Sequence, residues 1–369
     1  MCNFELLTHL NNIILTDKYK RLEIRRLLRN WYDENKRDLP WRHTNDPYKI
    51  WISEVILQQT RVVQGLNYYL RFVDRFPTVK SLAISSEEEV LKMWQGLGYY
   101  SRARHLHSAA KMILSEFNGK IPNTYKEIIS LKGIGEYTAA AILSTAYDKP
   151  YAVVDGNVYR VLSRLFAIKT PIDTTIGKKE FAQLSQVLLD VANPGIHNQA
   201  LMEFGALHCT PTQPKCDECP LSNYCVANKL NIQSELPVKK MKTKIRKRYL
   251  HYFYFNIDGY TYLNKREERD IWKNLYEFPL IETDIDTSFI KLTEKSSFKE
   301  MFRNLDVTFS NSTKQVRHIL THQHIYANFY EVELANLSAD FELGFLKVKN
   351  EDVYKYPISR LIHRYLEQK

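Results

Sequence analysis

The chain has 369 residues, with 52 Lys and Arg against 42 Asp and Glu, which gives a net charge of +10. Its hydrophobic fraction of 44% suffices for packed cores, and its length predicts two domains. No apolar run approaches the roughly 20 residues that span a bilayer, so a membrane-spanning protein is excluded and a soluble one is expected. The positive charge favours a polyanionic partner such as nucleic acid, although many basic proteins bind none.

Residues 1–20 are predicted to be an N-terminal extension, a loosely held helix or tail. They contain acidic residues and lack a basic start, unlike a secretory signal, so a reducing, cytoplasmic location is expected, at the nucleoid if the source is bacterial. Residues 21–228 are predicted to form an all-α domain, because apolar side chains recur at helical spacing, as at Val158, Val161 and Leu162.

Within this domain, residues 131–142 (LKGIGEYTAAAI) predict a tight hairpin between two helices. Gly133 and Gly135 permit the positive φ angles of such a hairpin, and the second helix is expected to begin near Tyr137. Backbone N–H groups of the turn and of that helix start can bind a DNA phosphate. An ordinary turn between helices remains the alternative, because G-x-G is a common pattern.

Four cysteines close the helical domain within residues 209–225, spaced C-x6-C-x2-C-x5-C. They are Cys209, Cys216, Cys219 and Cys225. In a reducing compartment such a set is expected to ligate a metal or cluster, because structural disulfides are rare there. The spacing alone fits zinc and an iron–sulfur cluster equally well, since both use four thiolates.

Residues 229–247 are predicted to be a basic linker, because VKKMKTKIRKR carries seven Lys or Arg in eleven residues. It is either solvated or lies on DNA. Beyond it, residues 248–369 are predicted to form an α+β domain, since aromatic and β-branched residues now dominate. Two strands and two helices are expected there, at 249–257, 324–334, 298–305 and 358–368.

The hairpin, the segment VVDGNVYRVLSR and the four cysteines together resemble the helix–hairpin–helix DNA glycosylase superfamily. More narrowly, four segments are similar to the MutY family of adenine DNA glycosylases: LPWR (39–42), PYKIWISEVILQQTRV (47–62), GLGYYSRAR (96–104) and NQALMEFGALHCTPTQPKCDECPLSNYC (198–225). Residues 271–279 and 316–325 are similar, more loosely, to that family's C-terminal Nudix-like domain. The resemblance implies a [4Fe–4S] cluster on the four cysteines of the catalytic domain.

The resemblance also implies a function, namely that of a monofunctional DNA glycosylase in base excision repair. It would hydrolyse the N-glycosidic bond of adenine mispaired with 8-oxoguanine or guanine in double-stranded DNA, and a monomer is expected. The alternatives are a bifunctional endonuclease III-like glycosylase and lyase, a non-catalytic DNA-binding relative, and a Nudix hydrolase of free nucleotides. Tyr137 stands where bifunctional relatives carry the attacking lysine, and the Nudix magnesium motif is absent.

Cleavage of a purine N-glycosidic bond calls for two carboxyl groups, one protonated to make the base a neutral leaving group and one ionised to stabilise the sugar. Glu54 lies among apolar residues, which predicts a raised pKa if it is buried, whereas the helix pattern alone also fits a surface glutamate paired with Arg61 or Lys49. The resemblance assigns it the acid role. Asp155 is expected at a helix start, where it stays ionised and, by resemblance, faces the sugar. The resemblance makes Tyr137 and Asn157 supporting residues.

The resemblance places Trp41 and Arg42 in the adenine pocket and makes Glu203 a candidate to bind the adenine edge. Residues predicted to contact the duplex around 8-oxoguanine are Gln58, Gln59, Thr60, Arg61, Leu97 and Tyr99. The first four are expected to continue and end the helix that carries Glu54. Tyr99 suits an aromatic wedge that replaces lost base stacking, with core packing as its alternative.

In the second domain, the family's 8-oxoguanine loop, Phe-Ser-His, is matched by Leu320, Thr321 and His322. Thr321 keeps the hydroxyl group and Leu320 replaces the aromatic ring, so Thr321 and His322 are the predicted contacts. His318, His322 and His324 also permit a zinc site, although ordinary strand histidines are the favoured interpretation.

Overall fold

The computed structural model describes residues 17–240, 245–267, 270–303, 305–312, 315–334 and 345–368. Its contacts divide the chain into two compact units. The first comprises Met1–Ala83 and Ser108–Lys242, and the second comprises Ile84–His107 and Thr243–Lys369. None of the described helices has the length and apolar composition to cross a bilayer.

Helices dominate the described chain up to Leu230, which confirms the predicted all-α fold. The α-helices are α1 (Lys18–Asn35), α2 (Pro47–Leu57), α3 (Val62–Arg75), α4 (Val79–Ile84), α5 (Glu87–Met93), α6 (Ser101–Glu116), α7 (Tyr125–Ser130), α8 (Glu136–Tyr147), α9 (Gly156–Leu165), α10 (Thr175–Leu188), α11 (Pro194–Leu207) and α12 (Val226–Leu230). Most of the predicted extension, residues 1–16, lies outside the described residues, and α1 begins at Lys18.

The first unit has its main core where α9 packs against α11 and α11 packs against α1. Apolar residues of α9, such as Val158 and Leu162, are fully buried there. Gly205 permits the close approach of α11 to the start of α9, because a Cβ atom at Gly205 would lie 2.7 Å from the Asn157 Cβ atom. Helix α2 is buried along most of its length and packs against α3 and α8.

The hairpin between α7 and α8 forms as predicted, with α8 beginning at Glu136. Gly133 has a φ of +79°, the left-handed conformation that glycine adopts without strain. Gly135 differs from the prediction, since its φ is −99° and its ψ is 178°, and it caps α8 in an extended conformation. Only at Gly133, therefore, does the backbone conformation favour glycine over other residues.

The predicted helical domain also differs from the first unit in one segment. Residues 84–107, which include α5, belong to the second unit. Within this unit, the Arg104 guanidinium group donates a hydrogen bond to the carbonyl oxygen of Lys273 at 3.0 Å. The division at the basic linker remains a prediction; of that linker, residues 241–244 lie outside the described residues.

The C-terminal part of the second unit combines two sheets with short helices, as an α+β domain does. The strands are β1 (Arg246–Phe255), β2 (Tyr260–Lys265), β3 (Tyr276–Glu277), β4 (Leu280–Thr283), β5 (Val307–Ser312), β6 (Val316–Ile319), β7 (Gln323–Leu334) and β8 (Leu346–Lys349). The helices are α13 (Phe289–Thr293), α14 (Ser296–Met301) and α15 (Arg360–Leu366). All four elements predicted from the sequence therefore form, with shifted ends.

The larger sheet has the order β4-β1-β7-β5, with β6 also paired to β7, and the smaller has the order β3-β2-β8. β1 and β7 are parallel, whereas the other pairs are antiparallel. Aromatic side chains such as Phe253, Phe298 and Phe302 fill the core beside the larger sheet. The turn between β6 and β7 carries the Leu320–His322 segment.

Candidate active site and cluster-binding site

Glu54 lies on α2 in the first unit and is a buried acid, with 7% of its surface exposed. The Tyr137 hydroxyl group donates a hydrogen bond to its Oε2 atom at 2.8 Å. Burial raises the pKa of Glu54 to about 7; the Tyr137 hydrogen bond opposes this shift and the negative charge of Asp155 adds to it. Glu54 can therefore hold a proton near neutral pH and release it to a bound base.

Asp155 is the N-cap of α9, as predicted. Its Oδ1 atom accepts a hydrogen bond from the Val158 N–H at 2.8 Å, and its Oδ2 atom accepts one from the Asn157 side-chain amide at 2.8 Å. Burial raises the pKa of Asp155, while these hydrogen bonds and the charge of Arg160 oppose the shift. The net pKa shift thus runs against the expectation that the helix start keeps Asp155 ionised, because desolvation is the larger effect.

Tyr137, at the start of α8, is bonded to Glu54 and lies within the electrostatic influence of Asp155. Burial, the charges of Glu54 and Asp155 and the hydrogen bond to Glu54 raise its pKa well above 10, so the hydroxyl group remains a neutral donor. Its oxygen also lies 3.4 Å from the Met202 sulfur. The structure thus brings together Glu54, Tyr137, Asp155 and Asn157.

Arg160 extends the site and was not predicted from the sequence. Its guanidinium group donates to the Asn157 Oδ1 atom at 2.9 Å and to the Gly205 carbonyl oxygen at 2.5 Å. Its Nε atom donates to the Cys209 carbonyl oxygen at 2.8 Å. A continuous polar chain therefore runs from Asp155 through Asn157 and Arg160 to the first cysteine. Arg160 lies three residues after Asn157 on the same face of α9, and this spacing was the sequence signal from which its contact with Asn157 could have been predicted.

Glu203 is a buried carboxylate bound by two arginines, and its contact with the adenine edge stays a prediction. It is 2% exposed, and its two oxygens accept five hydrogen bonds, three from Arg37 and two from Arg42, at 2.5 to 3.0 Å. Although burial acts the other way, these bonds lower the pKa of Glu203 to about 2. Its acceptor capacity is thus used to hold the two arginines, of which Arg37 was missed.

Trp41 is 5% exposed and packs edge-on against Tyr69, with the ring centroids 5.0 Å apart. This placement agrees with a core residue, so a contact between Trp41 and adenine stays a prediction. Arg42, which follows it, is fixed by Glu203 and by the Arg37 carbonyl oxygen at 2.8 Å.

Gln58, Gln59, Thr60 and Arg61 do not continue α2, which corrects the predicted helix end. The helix stops at Leu57, and Arg61 is the N-cap of α3. The Gln58 amide donates to the Thr138 hydroxyl group at 3.1 Å. Gln59 is exposed and has a φ of +55°, a strained value for a residue other than glycine. Such strain is concentrated at functional turns, which agrees with a contact to DNA.

In the second unit, the structure brings together two of the predicted 8-oxoguanine contacts. The Tyr99 and Thr321 hydroxyl groups form a hydrogen bond. Tyr99 is 39% exposed with a φ of +47°, whereas Leu97 is 8% exposed and is packed in the core. His322 is exposed, and its carbonyl oxygen accepts a hydrogen bond from the Arg246 N–H at 2.9 Å.

The four cysteines line one cavity in the first unit. Four thiolates at about 2.3 Å from one zinc ion would bring their sulfurs to roughly 3.8 Å from one another. Among the described residues, no three His, Cys, Asp or Glu side chains are grouped to hold a single metal ion. Four thiols at one cavity are the ligand set that a zinc ion and an iron–sulfur cluster share.

The cavity also contains hydrogen-bond donors that suit bound sulfur atoms. The Arg164 guanidinium group lies 3.4 Å from the Cys209 sulfur, and the Gln233 amide lies 3.8 Å from the Cys216 sulfur. His318, His322 and His324, which permitted a zinc site by sequence, form no metal-binding group among the described residues. The His318 ring lies 5.8 Å from the Trp272 ring.

Three family models match the chain. Residues 52–187 match the HhH-GPD superfamily of base excision DNA repair proteins, residues 209–225 match the iron–sulfur binding domain of endonuclease III, and residues 251–368 match the NUDIX domain. The second match covers all four cysteines, so these residues bind a [4Fe–4S] cluster. The third match agrees with the α+β fold of the C-terminal part.

Individual relatives agree with these matches. The adenine DNA glycosylase of Homo sapiens is 44% identical over 218 residues, 57% of this chain and 40% of that protein. A solved thermostable thymine-DNA glycosylase is similar in structure, with a TM-score of 0.53 and 28% identity over 57% of this chain and 98% of its own. The adenine DNA glycosylase of Buchnera aphidicola subsp. Schizaphis graminum is 35% identical over 310 residues, 82% of this chain and 88% of that protein. With this likeness over both units, the chain belongs to the adenine DNA glycosylase family.

Proposed function

We propose that this chain hydrolyses the N-glycosidic bond of adenine in double-stranded DNA, with preference for adenine opposite 8-oxoguanine or guanine, and that it does so as a monomer. The names of its relatives support adenine as the base. The observation that carries the proposal is the buried Glu54, whose pKa is about 7. Its carboxyl group accepts a hydrogen bond from Tyr137, and the charge of Asp155 contributes to the raised pKa.

In this proposal the adenine leaves the base stack before it reacts. Protonated Glu54 transfers its proton to a ring nitrogen of adenine, so that the electron pair of the breaking C1′–N9 bond passes to a neutral leaving base. The Tyr137 hydrogen bond to the Oε2 atom orients the carboxyl group and leaves the Oε1 atom available.

Asp155 serves the sugar in the same step. As the C1′–N9 bond breaks, positive charge develops at C1′, and a nearby carboxylate stabilises it or bonds to it transiently. The Val158 N–H and the Asn157 amide hold both Asp155 oxygens in place. A water molecule, deprotonated by the Glu54 carboxylate, then attacks C1′ and restores the proton to Glu54.

The pH dependence of the reaction follows from the Glu54 pKa of about 7. Only the protonated form donates, so we expect the single-turnover rate of adenine release to fall tenfold per pH unit above about pH 7. Rates measured between pH 5 and 9 on one duplex test this. A rate that stays constant up to pH 9 would contradict the assigned acid.

The proposal is for a glycosylase without its own strand-cleaving step. Lyase activity needs an amine that attacks C1′ and forms a Schiff base. Tyr137 occupies the hairpin position that faces Glu54, while Lys132, before the turn, is exposed.

We therefore expect no more than trace covalent enzyme–DNA adduct when sodium borohydride is added during turnover. The adduct is measured by denaturing gel electrophoresis, with an authentic bifunctional glycosylase as the positive control. An abundant adduct that disappears in Lys132→Gln would show that this chain is bifunctional.

The C-terminal part is proposed to recognise the oxidised base rather than to hydrolyse nucleotides. Magnesium in a Nudix hydrolase needs free carboxylates, but here the acids are paired with buried arginines. Arg248 forms ion pairs with Glu282 at 2.5 Å and Asp270 at 2.6 Å, and Arg266 forms one with Glu277 at 2.9 Å. These arginines compete with a metal ion for the carboxylate oxygens of the three acids.

The Tyr99–Thr321 hydrogen bond supports a role of this pair in that recognition. We expect Thr321→Val, which removes the hydroxyl group at constant size, to reduce the preference for adenine opposite 8-oxoguanine over guanine by about tenfold, the value of one hydrogen bond. The ratio of the two single-turnover rates measures this preference. Thr308→Val, in β5, is a control that should leave the ratio unchanged; an unchanged ratio in Thr321→Val would contradict the assignment.

The proposed function is tested by incubating the protein with four duplexes and treating the products with alkali. The duplexes carry adenine opposite 8-oxoguanine, guanine or thymine, and thymine opposite guanine; the last examines the activity named for the similar solved structure. We expect cleavage at adenine in the first two only. Cleavage of the thymine strand alone, or of none, would refute the proposal.

A further inference from the structure

His208 is a residue of the cluster cavity that the glycosylase chemistry does not use. It directly precedes Cys209 and is the C-cap of α11. Its side chain is 7% exposed and lines the cavity together with the four cysteines. The ring is held in place by stacking on Phe204, with centroids 4.9 Å apart, and by the edge of Trp31 at 5.8 Å.

The His208 Nε2 atom is buried and has no hydrogen-bond partner in the part of the chain that the structure describes. Leaving a buried polar atom unpaired costs about 1–3 kcal/mol, so such atoms are rare and call for an explanation. Because His208 lines the cavity, a group bound in the cavity is the expected hydrogen-bond partner of its Nε2 atom.

Two other side chains already direct N–H groups to sulfur in this cavity, namely Arg164 to Cys209 and Gln233 to Cys216. The wall therefore supplies donors, the chemistry that cluster sulfurs accept. His208 would add a third donor, on a ring that its aromatic neighbours prevent from turning away.

We propose that His208 donates a hydrogen bond from Nε2 to a sulfur atom of the [4Fe–4S] cluster, and that it is a positioning residue that sets the reduction potential of the cluster. The donor proton is present in the Nε2–H tautomer and in the imidazolium form alike. Hydrogen bonds to cluster sulfurs stabilise the more negative, reduced state, so His208 raises the reduction potential.

The test compares the midpoint potential of the cluster in the holoenzyme with that in His208→Phe, measured by voltammetry. Phenylalanine keeps the stacking on Phe204 but removes both ring nitrogens, so we expect a more negative potential. His208→Gln, which restores an N–H donor, should recover part of the shift.

His197 provides a matched control on the same helix. It is 6% exposed and its Nε2 atom is also buried without a partner among the described residues, but it does not line the cavity. It lies eleven residues before His208, about 16 Å along the helix. His197→Phe should therefore leave the potential unchanged, because it removes a buried imidazole away from the cluster.

Equal midpoint potentials in the parent and in a fully loaded His208→Phe would overturn the proposal. If His208→Phe binds the cluster poorly, a measurement on the parent protein still tests the proposal. With ¹⁵N-labelled histidine, pulsed EPR of the paramagnetic cluster should detect a histidine nitrogen that is lost in His208→Gln. Absence of that coupling in the parent would also overturn the proposal.

Discussion

Glu54→Gln is expected to abolish adenine release while leaving DNA binding intact. Glutamine has no transferable proton, yet its amide oxygen can still accept the Tyr137 hydrogen bond at the Oε2 position. General acid catalysis contributes about 10²–10⁴-fold, so the single-turnover rate should fall at least a hundredfold. The rate is measured on a duplex with adenine opposite 8-oxoguanine, and binding is measured by fluorescence anisotropy.

Glu116→Gln is a suitable control, since Glu116 ends α6 on an exposed surface of the first unit and should change neither quantity. A Glu54→Gln variant that retains more than a tenth of the parent rate would show that another group supplies the proton. Loss of binding together with the rate would instead indicate a damaged fold and would contradict the expected separation.

The same substitution should stabilise the protein in a pH-dependent manner. The pKa of Glu54 is about 7 in the folded chain against an ordinary value of 4.5, so between these values the unfolded chain holds fewer protons than the folded one. The folded state therefore loses stability as the pH rises from about 4.5 to 7. Glutamine does not ionise and does not incur this loss. The free energy of unfolding of the variant should therefore exceed that of the parent by on the order of 3 kcal/mol at pH 8 and by nothing at pH 4.

Of the substitutions that we consider in the first unit, Glu203→Gln is expected to lower the free energy of unfolding the most. Glutamine cannot balance the charges of Arg37 and Arg42, and Arg42 has only 11% of its side chain exposed. Removing one partner of a buried ion pair costs about 3–5 kcal/mol. Urea unfolding at pH 7 measures the loss, which should also displace Arg42 and slow adenine release.

The Lys169–Glu235 pair supplies a matched control for this charge substitution. Its atoms are 4.0 Å apart and both side chains are more than half exposed. Glu235→Gln should therefore change the free energy of unfolding by less than about 1 kcal/mol. Equal effects of Glu203→Gln and Glu235→Gln would show that burial adds nothing to the Glu203 cluster.

The surroundings of the two candidate carboxyl groups could be predicted in part from the sequence, because local residues contribute to them, although the family resemblance was needed to prefer a buried Glu54 over a surface one. Apolar neighbours in α2 predict the raised pKa of Glu54, and Asp155 followed by glycine is typical of a helix start. The same local reasoning failed at Gln59, because a glutamine carries no signal for a positive φ and the polar stretch after Leu57 resembles a continuing helix.

Long-range pairing was beyond sequence reasoning. Arg37 and Glu203 are separated by 166 residues, and no local pattern shows that one neutralises the other. The same limit applies to residues 84–107: their helical period can be predicted from the sequence, but the hydrogen bond from Arg104 to the distant Lys273 cannot.

The Arg160 chain has a consequence for the position of Asp155. Its Nε atom depends on the Cys209 carbonyl oxygen, and its guanidinium group fixes the Asn157 side chain that holds Asp155. A displacement of the Cys209 carbonyl oxygen would therefore be transmitted through Arg160 and Asn157 to the Asp155 carboxylate. The position of Asp155 thus depends on the same segment that binds the cluster, so that cluster binding and the geometry of this carboxylate are structurally coupled.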